Sequence, residues 1–344
     1  MNKDRVTIKD IARELNISTS TVSRALTDKW DVNPSTRDAV LKLAQELNYH
    51  PNPISLSLKG KKSMSIGIII PEFMSSFFPK VILGIQSILE QEGYQLLICP
   101  SNESYEKELS NLKMLEDKLV DGLIVSITKE TENVEYFKSL QEKGTPIVFF
   151  NRVCAGIDAS SITLDDYKWS RVAVDHLIDQ GCTRILHLAG PDTLQLSRLR
   201  LNGWRDSLIA HNLPADDSLI VYTGLSMDEG GAVAHKILDM KHRPDGIFAI
   251  NDPVAIGAMK ILQKNGVRIP DDIAVVGFSE SQMSVIIEPN LSSVEQPTFE
   301  IGRLSAQLLL DQIRNKAKNR KVEIKKIVLD AMLNVRESSV RKKL

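Results

Sequence analysis

Two groups of residues in this 344-residue chain have the types and spacing to do chemistry. The first lies in VTIKDIARELNISTSTVSRAL (Val6–Leu26), where Thr19, Ser20, Ser23 and Arg24 share the polar face of a short helix. Short hydroxyls meet phosphates or base edges, and a guanidinium grips guanine O6 and N7 together. A helical hairpin with a solvated face has the same spacing. The second group follows short apolar runs: Pro71-Glu72-Phe73, Asn151-Arg152, Asn251-Asp252 and Ser279-Glu280. Asp252 precedes Pro253 and an apolar helix, so it reads as a cap, leaving Asn251 for a ligand.

Catalytic signatures are missing. Gly277-Phe278-Ser279-Glu280-Ser281 begins like a nucleophile elbow but lacks the second glycine. There is no P-loop, no GxGxxG and no HExxH, and the six histidines are dispersed. The chain is expected not to be an enzyme and to need no cofactor or metal. Cys99, Cys154 and Cys182 are too few for a disulfide framework or a zinc site and are expected to be reduced. No export signal or membrane-length apolar run is visible, so a cytoplasmic, nucleoid-associated protein is expected. Net charge is −1, but residues 1–62 hold 11 Lys+Arg against 7 Asp+Glu, leaving 32 against 37 beyond. A basic head on an acidic body suggests that only the head meets a polyanion.

The elements that position these groups follow from periodicity. Residues 1–50 predict three helices: Ile8–Leu15, Thr19–Leu26 capped by Ser18, and Pro34–Leu47 with proline in its first turn. Residues 51–62 read as a linker able to form one short helix from Asn52. From Ser65 onward apolar runs (Ile66–Ile70, Leu96–Ile98, Leu123–Ile127, Ile147–Phe150, Ile185–Leu188, Ile247–Ile250, Ile273–Val276) alternate with helical stretches. That rhythm predicts parallel sheets covered on both faces, and its break at Ser160–Tyr167 predicts two α/β lobes. Ligands in such folds lie at the carboxyl ends of the strands. The expected domains are a helix-turn-helix domain (1–50), a hinge (51–62) and a sensor (63–344). Within the sensor, lobe 1 takes about 63–162 and 291–322, and lobe 2 takes 163–290 and 323–344.

The combination of VTIKDIA…STSTVSRAL, NPSTRDAVLKLAQELNYHPN, SRLRLNGW, AINDPVAIGAMK, IAVVGF and LNVRESS, in this order, resembles the lactose-repressor (LacI-type) regulators along essentially the whole chain. The resemblance implies a DNA-binding regulator, a repressor by analogy, acting as a homodimer on a palindromic double-stranded operator. Thr19, Ser20 and Arg24 would face bases, while Thr7, Thr21, Ser23, Asn33 and Thr36 would contact phosphate. Asn52, Ser55 and Leu58 would lie in a hinge helix that enters the minor groove, with Ser55 and Leu56 departing from the family's usual Ala and Arg. A periplasmic-binding-protein-like sensor would hold an allosteric effector with Glu72, Phe73, Phe77, Asn151, Arg200, Asn251 and Ser279. Arg200 can donate two parallel hydrogen bonds to a carboxylate, a phosphate or a vicinal diol, and an acid across the lobe interface is its competing partner. The lactose repressor carries carboxylates where this chain has Asn151 and Ser279. Their replacement leaves Arg200 in a more positive pocket and points to a sugar acid or sugar phosphate over a neutral sugar. The rival reading gates the same regulator with a protein co-effector on the acidic body. Residues 340–344 show no heptad repeat for a tetramer.

Overall fold

The computed structural model describes residues 6–26, 32–47, 49 and 63–341. The chain divides into two compact units, Met1–Ser63 and Met64–Leu344. The hinge residues Asn52, Ser55 and Leu58 lie outside the described residues.

In the first unit, α1 (Ile8–Glu14), α2 (Thr19–Ala25) and α3 (Pro34–Glu46) close around Ile11, Ala12, Val22, Ala25, Val40 and Ala44. These are residues the 3.6-period pattern placed inward. Asn16 takes φ +51 in the turn between α1 and α2, a conformation asparagine tolerates better than most residues. Ser18 caps α2 by accepting from the Thr21 amide at 3.0 Å.

The second unit holds two six-stranded sheets. The first contains β1 (Ser65–Ile70), β2 (Gln95–Pro100), β3 (Gly122–Val125), β4 (Ile147–Phe150), β5 (Ser160–Leu164) and β11 (Lys326–Leu329), in the order β11-β5-β4-β3-β1-β2. The second contains β6 (Ile185–Ala189), β7 (Ile220–Tyr222), β8 (Gly246–Ala249), β9 (Ala274–Phe278), β10 (Ser292–Glu295) and β12 (Met332–Asn334), in the order β12-β10-β9-β8-β6-β7. Every pairing is parallel except β10 with β12. Each sheet reverses its winding once, between β1 and β3 and between β6 and β8, and in open α/β sheets ligands bind outside the strands' carboxyl ends at such switch points.

The helices of this unit are α4 (Phe77–Leu89), α5 (Tyr105–Asp117), α6 (Glu135–Glu142), α7 (Asp166–Asp179), α8 (Gln195–Ala210), α9 (Met227–Leu238), α10 (Asp252–Lys264) and α11 (Thr298–Ala317). The chain crosses between the sheets' territories at 164–166, 295–298 and 329–332. The expected lobe boundaries need correction at the last two crossings. β10 was expected in lobe 1 but pairs with β9, and β11 was expected in lobe 2 but pairs with β5. The reason is that each lobe completes its sheet with a strand from beyond its contiguous stretch. Strands β5, β7, β10, β11 and β12 were not legible as apolar runs, since they are short, serine-bearing or half-exposed.

In lobe 1, α11 packs against α4 at backbone distance. A Cβ on Gly84 would stand 2.1 Å from the Phe299 carbonyl oxygen, and one on Gly302 would stand 2.0 Å from that of Val81. Backbone cannot yield as a side-chain tip does, so the helices would have to separate. Gly302→Ala should therefore lower stability by about 1–3 kcal/mol, read as an earlier urea midpoint. An unchanged midpoint would show that the contact is loose.

Candidate functional site

On the first unit, Thr19, Ser20 and Arg24 are exposed on α2, and Thr21, Ser23 and Thr36 are half-buried. Several hydroxyls already have local partners. The Ser18 Oγ lies 2.7 Å from the Ser20 hydroxyl and 2.8 Å from that of Thr21. The Thr7 hydroxyl donates to the Asp10 carboxylate at 2.6 Å. Asn33 caps α3, its Oδ1 accepting from the Ser35 amide at 3.0 Å and hydroxyl at 2.9 Å. The second helix thus presents a rigid polar face ending in a guanidinium.

On the second unit, the central feature is Arg200, 3% exposed on α8. Its Nε and Nη2 both reach Asp166 Oδ1, at 2.8 and 2.7 Å. Its Nη1 donates to the Ile250 carbonyl at 2.5 Å, and its face covers the Phe278 ring at 3.6 Å. Burial pushes the Asp166 carboxyl up and the Arg200 guanidinium down, each partner pulling the other back toward its charged form. The competing reading paired Arg200 with an acid across the lobe interface; the acid it meets begins α7, in Arg200's own lobe. The pair corrects the idea of a positive pocket, because the one cation it relied on is neutralised from beneath. All three guanidinium nitrogens are thus engaged within the lobe.

The cap expected at Asp252 is made by Asn251, the residue expected to contact a ligand, and Asp252 is built into the core. Asn251 is the N-cap of α10, its Oδ1 accepting from the Val254 amide at 2.9 Å, and its Nδ2 donates to the Leu225 carbonyl at 2.9 Å. Asp252 is fully buried and accepts at 2.6 Å from the Ser281 amide and from the Ser284 and Ser293 hydroxyls. Ser293 in turn accepts from the Glu280 amide at 3.0 Å. This network holds Ser279 and Glu280 at φ +117 and +55, conformations that cost energy in residues with a Cβ. Gly277 is required below the turn, where a Cβ would meet Asp252 Oδ1 at 2.3 Å. The Ser279 hydroxyl accepts from Gln296, on a crossing segment between the lobes, and not from a histidine.

In lobe 1, Asn151 sits at φ +57 after β4, and its side-chain amide has no partner among the described residues. Its neighbour Arg152 is buried against Glu103, with Nη1 at 2.9 and 3.0 Å from the two carboxylate oxygens. The Glu72 carboxylate receives the Ser75 amide and hydroxyl. Phe73 is exposed, whereas Phe77, expected as a cleft aromatic, is 6% exposed and packs in the core edge-on to Phe78. Two hydroxyls at the switch points escaped the sequence reading. Ser126, just after β3, and Ser197, one turn before Arg200, are buried with unpartnered Oγ atoms. The Ser197 Oγ would lie 2.8 Å from a Cβ on Gly190, so glycine after β6 makes its room.

The loop after β3 also meets the other lobe, for the Thr193 hydroxyl donates to the Lys129 carbonyl at 2.7 Å. Glu108 holds that loop, accepting from the Thr128 amide at 2.9 Å and the Thr131 hydroxyl at 2.8 Å. Burial raises its carboxyl from 4.5 to about 7, against the pull of these bonds and with Glu103 and Arg152 nearby. Between those two values the unfolded chain has lost the proton that the fold keeps, so stability falls as pH rises through 7. Glu108→Gln should flatten this fall and melt above the parent at pH 8. A variant melting lower at pH 8 would show that the charged form is the favoured one. Arg200→Ala should cost about 3–5 kcal/mol in urea unfolding by stranding Asp166, with Asp166→Asn recovering part of it. Full stability of the single variant would mean that water solvates the carboxylate.

Comparison with known proteins agrees with both units. Residues 7–52 match the bacterial regulatory proteins of the lacI family, and residues 174–339 match the periplasmic binding protein-like domain. A ribose operon repressor of Halalkalibacterium halodurans is 33% identical over 310 residues, covering 90% of this chain and 91% of the relative. Among solved structures, a complex of the transcriptional regulator CelR with cellobiose is 30% identical, with a TM-score of 0.74 over 97% of this chain and 100% of that one. The lac repressor dimer bound to operator and anti-inducer is 25% identical, with a TM-score of 0.81 over 98% and 100%. Among the described residues no helix is long and apolar enough to cross a membrane. An N-terminal helix-turn-helix joined to a two-lobed parallel α/β sensor, with relatives that are transcriptional regulators and not enzymes, makes this chain a member of the LacI family of DNA-binding transcriptional repressors controlled by small-molecule effectors.

Proposed function

We propose that the chain represses transcription as a homodimer on a palindromic operator and is released by a neutral polyhydroxylated effector, a sugar, bound between its lobes. The observation that carries the effector class is the neutralisation of Arg200 by Asp166. Arg152 is likewise neutralised by Glu103, and Glu280 by Arg336. The strand ends also offer the uncharged Asn151 amide and the Ser126, Ser197 and Ser279 hydroxyls, and one carboxylate, Glu72. Hydroxyls of a sugar donate and accept and suit such a lining, whereas an anion would find the Arg200 and Arg152 guanidinium groups already paired with carboxylates. The cellobiose complex and the ribose operon repressor among its relatives support the reading.

Contacts from both lobes convert ligand binding into a shift of lobe arrangement, because a ligand can only favour the state it binds better. Release by the ligand, not recruitment, is the family's sign by analogy. One short helix reads few base pairs, so specificity needs two, related by the protein's own two-fold axis. Exposed apolar side chains on each lobe, Leu83 in lobe 1 and Val285 and Ile286 in lobe 2, support a self-complementary interface. On α2, Thr19, Ser20 and Arg24 would read bases.

A thermal-shift screen separates the effector classes. Neutral sugars should include one that raises the melting temperature, and the corresponding sugar acids and phosphates should not. A shift confined to the anionic compounds would overturn the reading. Asn151→Ala should abolish the shift while leaving operator affinity within about 1 kcal/mol, because distant sites act independently. On DNA, Arg24→Ala should cost about 1–3 kcal/mol on the preferred operator and relax choice at one base pair per half-site. Equal losses on operator and random duplex would make Arg24 a phosphate contact.

A further inference from the structure

The acidic body carries a basic feature of its own. Residues 314–326 contain seven Lys or Arg and one Glu, spanning the end of α11 and the approach to β11. Four of the seven are tied down. Arg314 pairs with Glu92 at 2.6 Å, and Lys316 Nζ donates to the Gly144 carbonyl at 2.5 Å. Lys325 and Lys326 lie 3.9 Å from Glu323 and Asp158. Three of these partners fix the place of the patch, because Glu92, Gly144 and Asp158 precede β2, β4 and β5. The patch therefore lies on the amino-terminal edge of the first sheet, opposite the effector crevice. Between the anchored residues, Lys318, Arg320 and Lys321 are exposed, and no ion pair joins them among the described residues.

The same edge receives the chain from the DNA-binding head. The Met64 amide donates to Asp121, just before β3, at 3.1 Å, and its carbonyl accepts from the Gln95 amide, which opens β2, at 2.8 Å. Residues 50–62 can span at most about 45 Å even when fully extended. Any duplex held by the head is thus joined to this edge through that one stretch of chain. Three adjacent cations without carboxylate partners raise the local potential and fit a polyanion, with affinity gained by counterion release and no reading of sequence.

We propose that Lys318, Arg320 and Lys321 form a second DNA-contacting surface, gripping backbone phosphates of the duplex that flanks the operator. The proposal rests on the DNA-binding reading above. It departs from the expectation that only the N-terminal head meets a polyanion.

The test uses the full chain and the palindrome it selects from a randomised pool of about 20 bp, the span of two half-sites. That duplex is compared with the same site extended by random sequence on both sides. Lys318→Glu/Arg320→Glu/Lys321→Glu should bind the extended duplex about tenfold or more weakly than the parent, and the short one within twofold. Its slope of log affinity against log salt on the extended duplex should be shallower by about 2–3, one unit per phosphate lost. An unchanged melting temperature of the triple variant, whose side chains are all exposed, confirms the fold. Equal losses on both duplexes, or an unaltered slope, would overturn the proposal in favour of an acidic protein partner or a merely solvated edge. If the parent selects no sequence and binds neither duplex, the DNA-binding reading itself falls, and this proposal falls with it.

Discussion

The buried pair of Arg200 and Asp166 is the constraint around which the sensor is built. A guanidinium removed from water is tolerated only when its charge and its N–H groups are met, and this fold meets them from three directions. The carboxylate comes from the start of α7, immediately after the chain crosses from lobe 1. The carbonyl comes from the end of β8, beside the switch point, and the apolar face from Phe278 at the end of β9. Crossing segment, switch point and neighbouring strand are thereby locked to α8. Next to the lock, the Asp252 network keeps Ser279 and Glu280 in a strained turn that a looser lobe would relax. The contacts that fix Arg200 also neutralise it, and that pairing is the ground on which a neutral effector is proposed.

Much of this architecture was legible in the residues. The head's three helices follow from a 3.6-residue period with Ser18 and Pro34 as start signals, and the buried strands β1, β3, β4, β6, β8 and β9 follow from apolar runs. What stayed hidden was everything decided by pairing across distance. Strands β10 and β11 trade lobes because their partners are β9 and β5, and nothing local in SSVE or KIVL reveals that. The acid beneath Arg200 stands 34 residues earlier in the chain. Asp252 looked like a cap because it precedes Pro253, yet the cap is Asn251, whose side chain reaches the Val254 amide. Phe77 kept its apolar identity but turned inward with the α4 stripe, so type and neighbourhood alone could not distinguish a core ring from a cleft ring.

On the two proposals made above, the charge distribution separates two tasks on opposite edges of lobe 1. At the carboxyl ends of its strands, Arg152 is neutralised by Glu103, and Glu108 is raised to about 7 by burial. At the amino ends, seven basic residues crowd the close of α11 and the approach to β11. A small uncharged ligand on one edge and a polyanion near the other can then communicate only through lobe geometry, since exposed charges are screened over about 8 Å at physiological salt. The three crossing segments carry that geometry, and one of them holds Gln296, which donates to Ser279.

Coupling of this kind must be reciprocal: a sugar that weakens operator binding by some factor has to be bound more weakly by the same factor when operator is present. The direct measurement is a pair of equilibrium titrations, operator affinity with the sensor saturated or empty, and sugar affinity with operator bound or absent. This account predicts that the two factors are equal and exceed about fivefold, the lower end of ordinary allosteric coupling. A sugar that binds the purified protein yet leaves operator affinity unchanged would contradict it.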